Sequence, residues 1–216
     1  MACSGNNDRQ ATLDLTTGKT SIRRVVYKIG SEASESRSGY IDTKQEERVK
    51  DLNNSLSSEF NKNVKVETFD LKNIESLDDT VVLDYKFTVD NFTSDIVGMQ
   101  VFKLPWAESF KSVDFVALEK RKYPLAIHSL SATPLEKEVM VVKLPAGKKL
   151  AEIPKNISLK GPVMTYDITY SVKADKVIVT REVKYLKDKV TPEDYPAFKT
   201  FITKLNEADN KQIAIK

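Results

Sequence analysis

The sequence predicts a mainly β, α+β fold: two antiparallel β-sandwich-like domains, each with one packed α-helix. Three observations support this prediction. Apolar and polar residues alternate over several segments, only two segments show helical periodicity, and the charge balance reverses near residue 120. At 216 residues the chain is longer than a common domain of roughly 100–150 residues, which favours two domains over one.

The predicted organisation has three parts. Residues 1–20 form a flexible N-terminal tail and first strand, residues 21–120 a first β domain, and residues 121–216 a second β domain. Residues 1–119 hold 15 basic and 20 acidic residues, whereas residues 120–216 hold 19 basic and 11 acidic residues. Two domains of opposite net charge attract each other across an interface, and a basic surface for a polyanion is the alternative. Because the lysines are scattered, we favour the interface and predict no nucleic-acid partner.

The first half is predicted to hold one helix among strands. Ile22–Ile29 is a strand, and the serine- and glycine-rich stretch Gly30–Gly39 is predicted as a flexible loop. Residues 43–60 form an amphipathic helix, with Thr43 as its capping residue. Alternation over residues 81–89 and the apolar stretch at 96–104 predict an antiparallel hairpin.

The second half is predicted to hold the best hairpin of the chain. Residues 164–172 and 177–185 alternate strictly and are joined by a short turn. Thr191 and Pro192 are start signals for a C-terminal helix over residues 192–208, and residues 212–215 form a closing strand. Glu138–Leu144 is a further strand.

The inventory of reactive residues argues against catalysis and against cofactors. The chain has a single cysteine, Cys3, and a single histidine, His128, so it has no internal disulfide and no usual zinc ligand set. Cys3 and His128 are far apart in the sequence, and no Gly-x-Ser-x-Gly turn presents a serine nucleophile. None of the seven glycines forms a phosphate-binding pattern, and no apolar run approaches the roughly 20 residues of a membrane span. We therefore predict no catalytic, metal-binding or cofactor-binding residues and no transmembrane segment.

One aromatic cluster is a candidate contact surface. Trp106, Phe110, Phe115 and Tyr123 lie close together in the sequence, and such rings offer a large apolar area to a sugar or a protein partner. Packing within the core or between the domains is the alternative, and we favour it. The sequence specifies neither a ligand nor an oligomeric state.

Several short motifs of the second half carry a family resemblance. They are Arg121–Pro124, Leu144–Gly147, Ile153–Pro154, Val179–Arg181 and Tyr195–Phe201. Together they resemble the C-terminal domain of unknown function that follows the catalytic core in secreted bacterial transglutaminase-like proteins, putative cysteine peptidases among them. Residues 38–118 look like the neighbouring β domain of the same proteins.

This resemblance implies a non-catalytic domain pair beside a papain-like Cys-His-Asp core, in the periplasm or outside the cell. Neither Cys3 nor His128 stands in a context like that of the core's nucleophile or base, so the resemblance transfers no catalytic residue. The expected function is to stabilise or position a neighbouring catalytic domain, or to recruit its protein substrate. An independent adhesion or glycan-binding module is the alternative.

Overall fold

The computed structural model describes residues 7–15, 19–107, 116–127 and 134–216. Its strands are β1 (Asn7–Asp14), β2 (Thr20–Lys28), β3 (Val64–Lys72), β4 (Val81–Val89), β5 (Ser94–Ile96), β6 (Met99–Lys103), β7 (Leu125–Ala126), β8 (Leu135–Lys143), β9 (Leu150–Glu152), β10 (Ile157–Lys160), β11 (Met164–Lys173), β12 (Lys176–Tyr185), β13 (Lys189–Val190) and β14 (Gln212–Ile215). Its helices are α1 (Gly30–Tyr40), α2 (Gln45–Phe60) and α3 (Tyr195–Asp209). Strand residues far outnumber helix residues, so the predicted mainly β, α+β class is confirmed.

One mixed sheet organises the chain. Its eight strands run in the order β10-β11-β12-β8-β1-β2-β4-β3, and β1 pairs in parallel with β8 and antiparallel with β2. A four-stranded sheet has the order β5-β6-β14-β9, and β13 pairs with β7. The strands therefore do not form two separate antiparallel sandwiches, because β1 joins strands from both halves. The domain boundary near residue 120 stays a prediction. The eight-stranded sheet includes strands from both sides of that boundary.

The N-terminal strand is longer and more central than the sequence suggested. Its buried residues include Ala11 and Leu13, which the alternation identified, and also Arg9, which it did not. Arg9 lies 3.8 Å from Glu136 of β8, so an ion pair allows a charged residue at a core position. Residues 7–14 are thus an interior strand and not part of a flexible tail.

The predicted loop over Gly30–Gly39 is wrong, since these residues belong to α1. Serine and glycine are poor helix formers, but tertiary contacts hold this segment. Ala33 is buried, and the Arg37 guanidinium donates a hydrogen bond to the backbone carbonyl of Asp79 at 2.5 Å. The described part of the first half therefore holds two helices, α1 and α2, where one was predicted.

The predicted helix over 43–60 is confirmed as α2, but its capping residue was misassigned. The Thr43 hydroxyl donates to the carbonyl of Gly39 near the end of α1, and no side chain caps the N-terminus of α2. Asn61 ends the helix in the left-handed conformation, as is common after a helix C-terminus.

The predicted pairing of residues 81–89 with residues 96–104 is wrong. β4 pairs with β2 and β3, whereas the later segment is split by a two-residue turn at Val97 and Gly98 into β5 and β6 of the smaller sheet. Both turn residues have positive φ, at +50° and +78°, which turns the chain back on itself at this point.

The elements predicted for the second half are present, but the C-terminal helix begins at Tyr195 and not at Pro192, and Asp194 is its N-cap residue in place of Thr191. β11 and β12 pair over their full length, Pro196 lies in the first turn of α3, and β14 closes the chain. The Thr191 hydroxyl accepts a hydrogen bond from the amide of Asp194 just before α3 begins. Among the described residues, no helix has the length and apolar character needed to cross a membrane.

The large sheet has one buried face and one open face. On β12, Val177, Val179, Arg181 and Val183 are buried, and the alternate residues are more accessible. α2 packs against β3 and α3 against β10, so the helices cover the two ends of the buried face. This face carries Arg24, Glu138 and Arg181, whose ion pairs are described below.

The free energy of unfolding should depend on pH through an ion pair on the open face of the large sheet. There Arg23 donates two hydrogen bonds to Asp84, at 2.9 and 2.6 Å. The hydrogen bond from Arg23 lowers the pKa of Asp84 below its ordinary value. A lowered folded-state pKa gives stability that is complete above the ordinary carboxyl pKa and is lost as the pH falls through the lowered value. Asp84→Asn should lower the free energy of unfolding by less than about 1 kcal/mol at neutral pH. Urea unfolding of both proteins from neutral to acid pH should show this difference shrinking, and a constant difference would contradict the assignment.

The turn between β11 and β12 offers a stabilising substitution. Ala174 is its first central residue and has a φ of +49°, whereas Asp175 is not left-handed, a pattern that favours glycine at the first position. Ala174→Gly should therefore raise the free energy of unfolding by about 0.5–1 kcal/mol, measured by chemical denaturation. A destabilised variant would show that this turn carries no strain.

Candidate functional site

A cleft of about 420 Å³ lies where the two halves of the chain meet. Its walls come from the C-terminal ends of α2 and α3, from the β5–β6 hairpin and from the residues that follow β6. Four aromatic and four charged side chains contribute to its lining: Phe60, Phe92, Phe102, Trp106, Glu59, Lys62, Lys103 and Asp209. A concave site with apolar walls and a few polar groups is the natural first candidate for ligand binding or catalysis.

Arg24 neutralises the first acid of the cleft. Its guanidinium, which is 2% exposed, donates hydrogen bonds to both carboxylate oxygens of Glu59 at 3.0 and 2.7 Å and to the carbonyl of Pro105 at 2.8 Å. The guanidinium carbon lies 5.5 Å from the ring centroids of both Phe60 and Phe87. This bidentate pair therefore links β2 to the end of α2.

Arg181 forms ion pairs with two acids: Asp209, which lines the cleft, and Glu138, which does not. Its Nη1 donates to Asp209 of α3 at 3.0 Å, and its Nη2 donates to Glu138 of β8 at 3.0 Å. All three side chains are almost fully buried. The indole ring of Trp106 covers the guanidinium, with its ring centroid 4.4 Å from the guanidinium carbon. We call Arg181, Glu138, Asp209, Tyr166 and Trp106 the buried ion cluster.

The remaining oxygens of the buried ion cluster also have donors. The Tyr166 hydroxyl donates to Asp209 Oδ1 at 2.8 Å, and the amide of Ala107 donates to Glu138 Oε1 at 3.1 Å. Burial raises the pKa of Asp209, while Arg181 and Tyr166 act to lower it. Burial and the neighbouring Asp209 both raise the pKa of Tyr166, which keeps its hydroxyl protonated and able to donate.

These contacts determine what the cleft can do chemically. General acid–base catalysis needs a carboxyl group that can exchange a proton with a substrate. Each oxygen of Glu59, Glu138 and Asp209 already accepts a hydrogen bond from a neighbouring group of the protein. The three acids therefore serve as ion-pair partners within the fold.

No metal centre is evident in the part of the chain that the structure describes. Within residues 7–15, 19–107, 116–127 and 134–216, no group of three or more histidine, cysteine, aspartate or glutamate side chains is placed to hold a metal ion. Cys3 and His128 lie outside the described residues.

Trp106 is not the solvent-facing ring that a glycan platform requires. It is 6% exposed, and one ring face is occupied by Arg181. The burial of Trp106 agrees with the packing interpretation that we favoured, and a sugar or partner contact through Trp106 stays an untested prediction. Truncating Trp106 would also uncover Arg181, so such a variant would not isolate an effect on binding.

The other members of the predicted aromatic cluster do not join Trp106 in a described surface. Tyr123 is 69% exposed, and the ammonium group of Lys122 lies 5.6 Å from its ring centroid. Phe110 and Phe115 lie outside the described residues. A partner contact through Tyr123, Phe110 and Phe115 stays a prediction.

The second half of the chain matches a known family. A family model described as "Domain of Unknown Function with solved-structure structure (DUF3858)" matches residues 96–215, more than half of the chain. The chain belongs to the DUF3858 family. The matched range begins at the end of β5 and includes all five members of the buried ion cluster.

Comparison with solved structures gives a distant match for this DUF3858 chain. A crystal structure of "a putative protease" from Parabacteroides distasonis matches with a TM-score of 0.42 and 20% sequence identity. The match covers 54% of this chain and 23% of that one, so the DUF3858 chain corresponds to less than a quarter of the longer protein. A search of curated proteins found no significant match.

The buried ion cluster of the DUF3858 domain was missed by the sequence analysis, although part of its signal was present. Arg181 lies two residues from Val179 and from Val183, so it shares their side of β12. Glu138 lies two residues before Met140 and shares its side of β8. Both charged residues therefore fall on the buried side of their strands. A cation and an acid at core positions of two neighbouring strands indicate a buried pair. Asp209 gave no comparable signal, because its position depends on how α3 packs against the sheet.

Proposed function

We propose that this DUF3858 chain is a non-catalytic accessory module of a larger, transglutaminase-like protein. In this role it stabilises or positions a neighbouring catalytic domain, or recruits that domain's protein substrate. The chemistry belongs to the neighbouring Cys-His-Asp core, and this chain supplies a rigid β framework beside it.

One observation carries the proposal: the acids of the central cleft are committed to ion pairs within the fold. Glu59 is held by Arg24, and Asp209 and Glu138 are held by Arg181. A carboxyl group that acts as a general acid or base must be able to exchange a proton with its substrate. Ion pairs that join β2 to α2, and β12 to β8 and α3, are what a structural or docking module requires.

The resemblance to transglutaminase-like proteins gives the proposal its context. Two of the motifs that carry this resemblance meet in the fold, since the guanidinium carbon of Arg121 lies 5.6 Å from the ring centroid of Tyr195. The hydroxyl of Tyr195 also donates to the carbonyl of Leu118 at 3.0 Å. These contacts support a structural role for the shared motifs. We further propose a periplasmic or extracellular location, as the same resemblance implies.

The test compares the complete gene product with a version that lacks residues 1–216. The accessory role predicts a Cys-His-Asp core elsewhere in the gene product, and removal of this chain should lower that core's thermal stability or its turnover of protein substrates. A gene product without such a core, or a core that is unaffected by the deletion, would overturn the proposal.

A second arm of the test concerns catalysis by the chain itself. The purified 216-residue chain should show no turnover on panels of peptide and ester substrates. Turnover that is abolished by His128→Ala would instead identify an active site and contradict the proposal.

A further inference from the structure

Lysines line one end of the open face of the large sheet. The cross-strand register places one residue from each of seven strands side by side at this end: Lys173 (β11), Lys176 (β12), Lys143 (β8), Asp14 (β1), Ser21 (β2), Thr88 (β4) and Lys65 (β3). We call the four lysines of this set the lysine row. Three of them are exposed, and the side chain of Lys143 is 42% exposed. Four cations and a single acid therefore share one accessible row.

This arrangement is unfavourable within the sheet. Lys176 lies directly opposite Lys173 on one side and directly opposite Lys143 on the other. Like charges at opposite positions of neighbouring strands destabilise a sheet. At the other end of the same face, Lys137 lies opposite Glu182 and contacts it at 2.6 Å. The lysine row thus departs from a pairing of opposite charges that this face uses elsewhere.

The lysine row is only weakly neutralised by its neighbours on the sheet. Among the described residues, its one carboxylate contact joins Lys143 to Asp14 at 3.8 Å. The next row of β11, β12, β8 and β1 is uncharged and consists of Ser171, Ile178, Val141 and Thr12. Glu182 lies six residues from Lys176 along β12, about 20 Å away. This distance exceeds the Debye length of about 10 Å at 0.1 M salt, so the acid does not screen the row.

The connections that adjoin the lysine row add further positive charge. Their described residues contain four lysines and two aspartates: Lys19, Lys62, Lys148, Lys149, Asp90 and Asp175. Lys19 pairs with Asp90 at 3.2 Å, whereas the ammonium group of Lys62 donates to the backbone carbonyl of Asn91. Lysines therefore outnumber acids in the row and in the connections beside it, and this end of the sheet attracts anions.

The composition of the lysine row indicates the class of partner. Protein interfaces and nucleic-acid sites favour arginine, because its planar fork fixes the geometry of two hydrogen bonds. Lysine is a flexible, strongly hydrated point charge, and clusters of basic residues bind anionic lipid surfaces. The row also has no aromatic side chain on which a nucleic-acid base could stack. These features favour an anionic lipid surface over an acidic protein or a nucleic acid.

The position of the lysine row suits a flat partner. Lys143 and Lys173 are the last residues of β8 and β11, and Lys176 is the first residue of β12. Seven strands spaced about 4.8 Å apart make this rim of the sheet about 29 Å wide. A flat surface can reach side chains along such a rim without a recess in the protein. We propose that the lysine row binds an anionic lipid surface and so orients this end of the sheet towards a membrane.

The experiment measures how the purified 216-residue chain partitions onto lipid vesicles in a sedimentation assay. Vesicles of equal parts phosphatidylcholine and phosphatidylglycerol should bind the chain more than about a hundredfold better than vesicles of phosphatidylcholine alone, since each lysine contributes about fivefold. Binding should be lost at about 1 M salt, where the Debye length is about 3 Å. Lys173→Gln combined with Lys176→Gln should lower the partition coefficient about thirtyfold.

Lys176→Glu separates binding from folding. It places a carboxylate opposite both Lys173 and Lys143, so two like-charge pairs become two opposite-charge pairs. The ratio of folded to unfolded chain should therefore rise about fivefold in chemical denaturation. The partition coefficient should fall about thirtyfold, because a positive charge is replaced by a negative one. Lower stability in this variant would contradict the strained arrangement of the row.

Lys137→Gln combined with Lys187→Gln is the matched control for the double glutamine variant. Both lysines are paired with carboxylates, those of Glu182 and Asp194, and both lie at the other end of the sheet. The control changes the net charge equally but should lower the partition coefficient less than about threefold. Equal losses for the two double variants, or equal binding to both kinds of vesicle, would overturn the inference. Capture by heparin or polyglutamate without binding to the phosphatidylglycerol vesicles would overturn it too.

The inference goes beyond the proposed function and does not depend on it. Vesicle binding is measured on this chain alone, whereas the accessory role is tested by deletion of residues 1–216 from the complete gene product. A chain that fails to bind anionic vesicles leaves the accessory role standing and removes only the lipid contact. A gene product without a Cys-His-Asp core removes the accessory role and leaves the lipid contact standing.

Discussion

Replacing Arg181 with leucine should lower the free energy of unfolding by about 3–5 kcal/mol, because it leaves two buried carboxylates without their shared cation. Glu138 and Asp209 each receive a hydrogen bond from Arg181 at 3.0 Å, and both are almost fully buried. Trp106 would also lose the guanidinium that its ring covers. Chemical denaturation monitored by tryptophan fluorescence measures this loss, and Trp106, the single tryptophan, reports directly on the cluster.

The matched control is Arg23→Leu, which removes an arginine with a bidentate carboxylate partner on the open face of the same sheet. Since the Arg23 side chain is 59% exposed, its loss should cost less than about 1 kcal/mol. Equal losses for the two variants would show that burial does not govern these pairs. Replacing Arg181, Glu138 and Asp209 together with apolar residues should recover much of the stability, because no charge is then left buried alone.

The second large effect is expected at Gly161, which lies just after β10 and beneath α3. A Cβ atom built at this position would come within 2.8 Å of Cγ and 2.9 Å of Cδ2 of Phe201, and within 3.2 Å of the carbonyl oxygen of Met164. Phe201 is buried, so its ring cannot move away freely. Gly161→Ala should therefore lower the free energy of unfolding by about 1–3 kcal/mol through overpacking, measured by chemical denaturation.

Gly39→Ala provides the control for Gly161→Ala. Gly39 lies within α1, and a Cβ at this position would meet no atom within 4 Å. Its replacement by alanine should stabilise the protein by about 0.5–1 kcal/mol, since glycine is unfavourable within a helix. A clash also predicts that Gly161→Ala combined with Phe201→Ala costs less than the sum of the single variants. Strict additivity would rule the clash out.

Local patterns were sufficient where neighbouring elements pair. The β11–β12 hairpin follows from alternation on both sides of a two-residue turn, and Thr191 and Pro192 indicated the C-terminal helix, which begins three residues after Pro192. Local sequence patterns failed where contacts between residues far apart in the sequence override the conformation that local composition favours. α1 consists largely of serine and glycine, and it is held in place by the buried Ala33 and by the bond from Arg37 to the loop before β4.

The order of strands in the large sheet could not be derived from the sequence. Alternation predicts which side of a strand is buried, but it does not specify the strand's neighbours. The same limit applied to the cleft. The ion pairs beside it join β2 to α2 and β12 to α3, so the pairs of Arg24 with Glu59 and of Arg181 with Asp209 exist only once these elements have assembled.

The parallel pairing of β1 with β8 has a consequence for how the protein is made. Arg9 of β1 lies beside Glu138 of β8, so β1 has a neighbouring strand that is synthesised much later than β1 itself. Until then one edge of β1 is open and can pair with other chains. Contacts of such high sequence separation slow folding, because a long loop must close before they form. We therefore expect the joining of β8 to β1 to be a slow step in the folding of this chain.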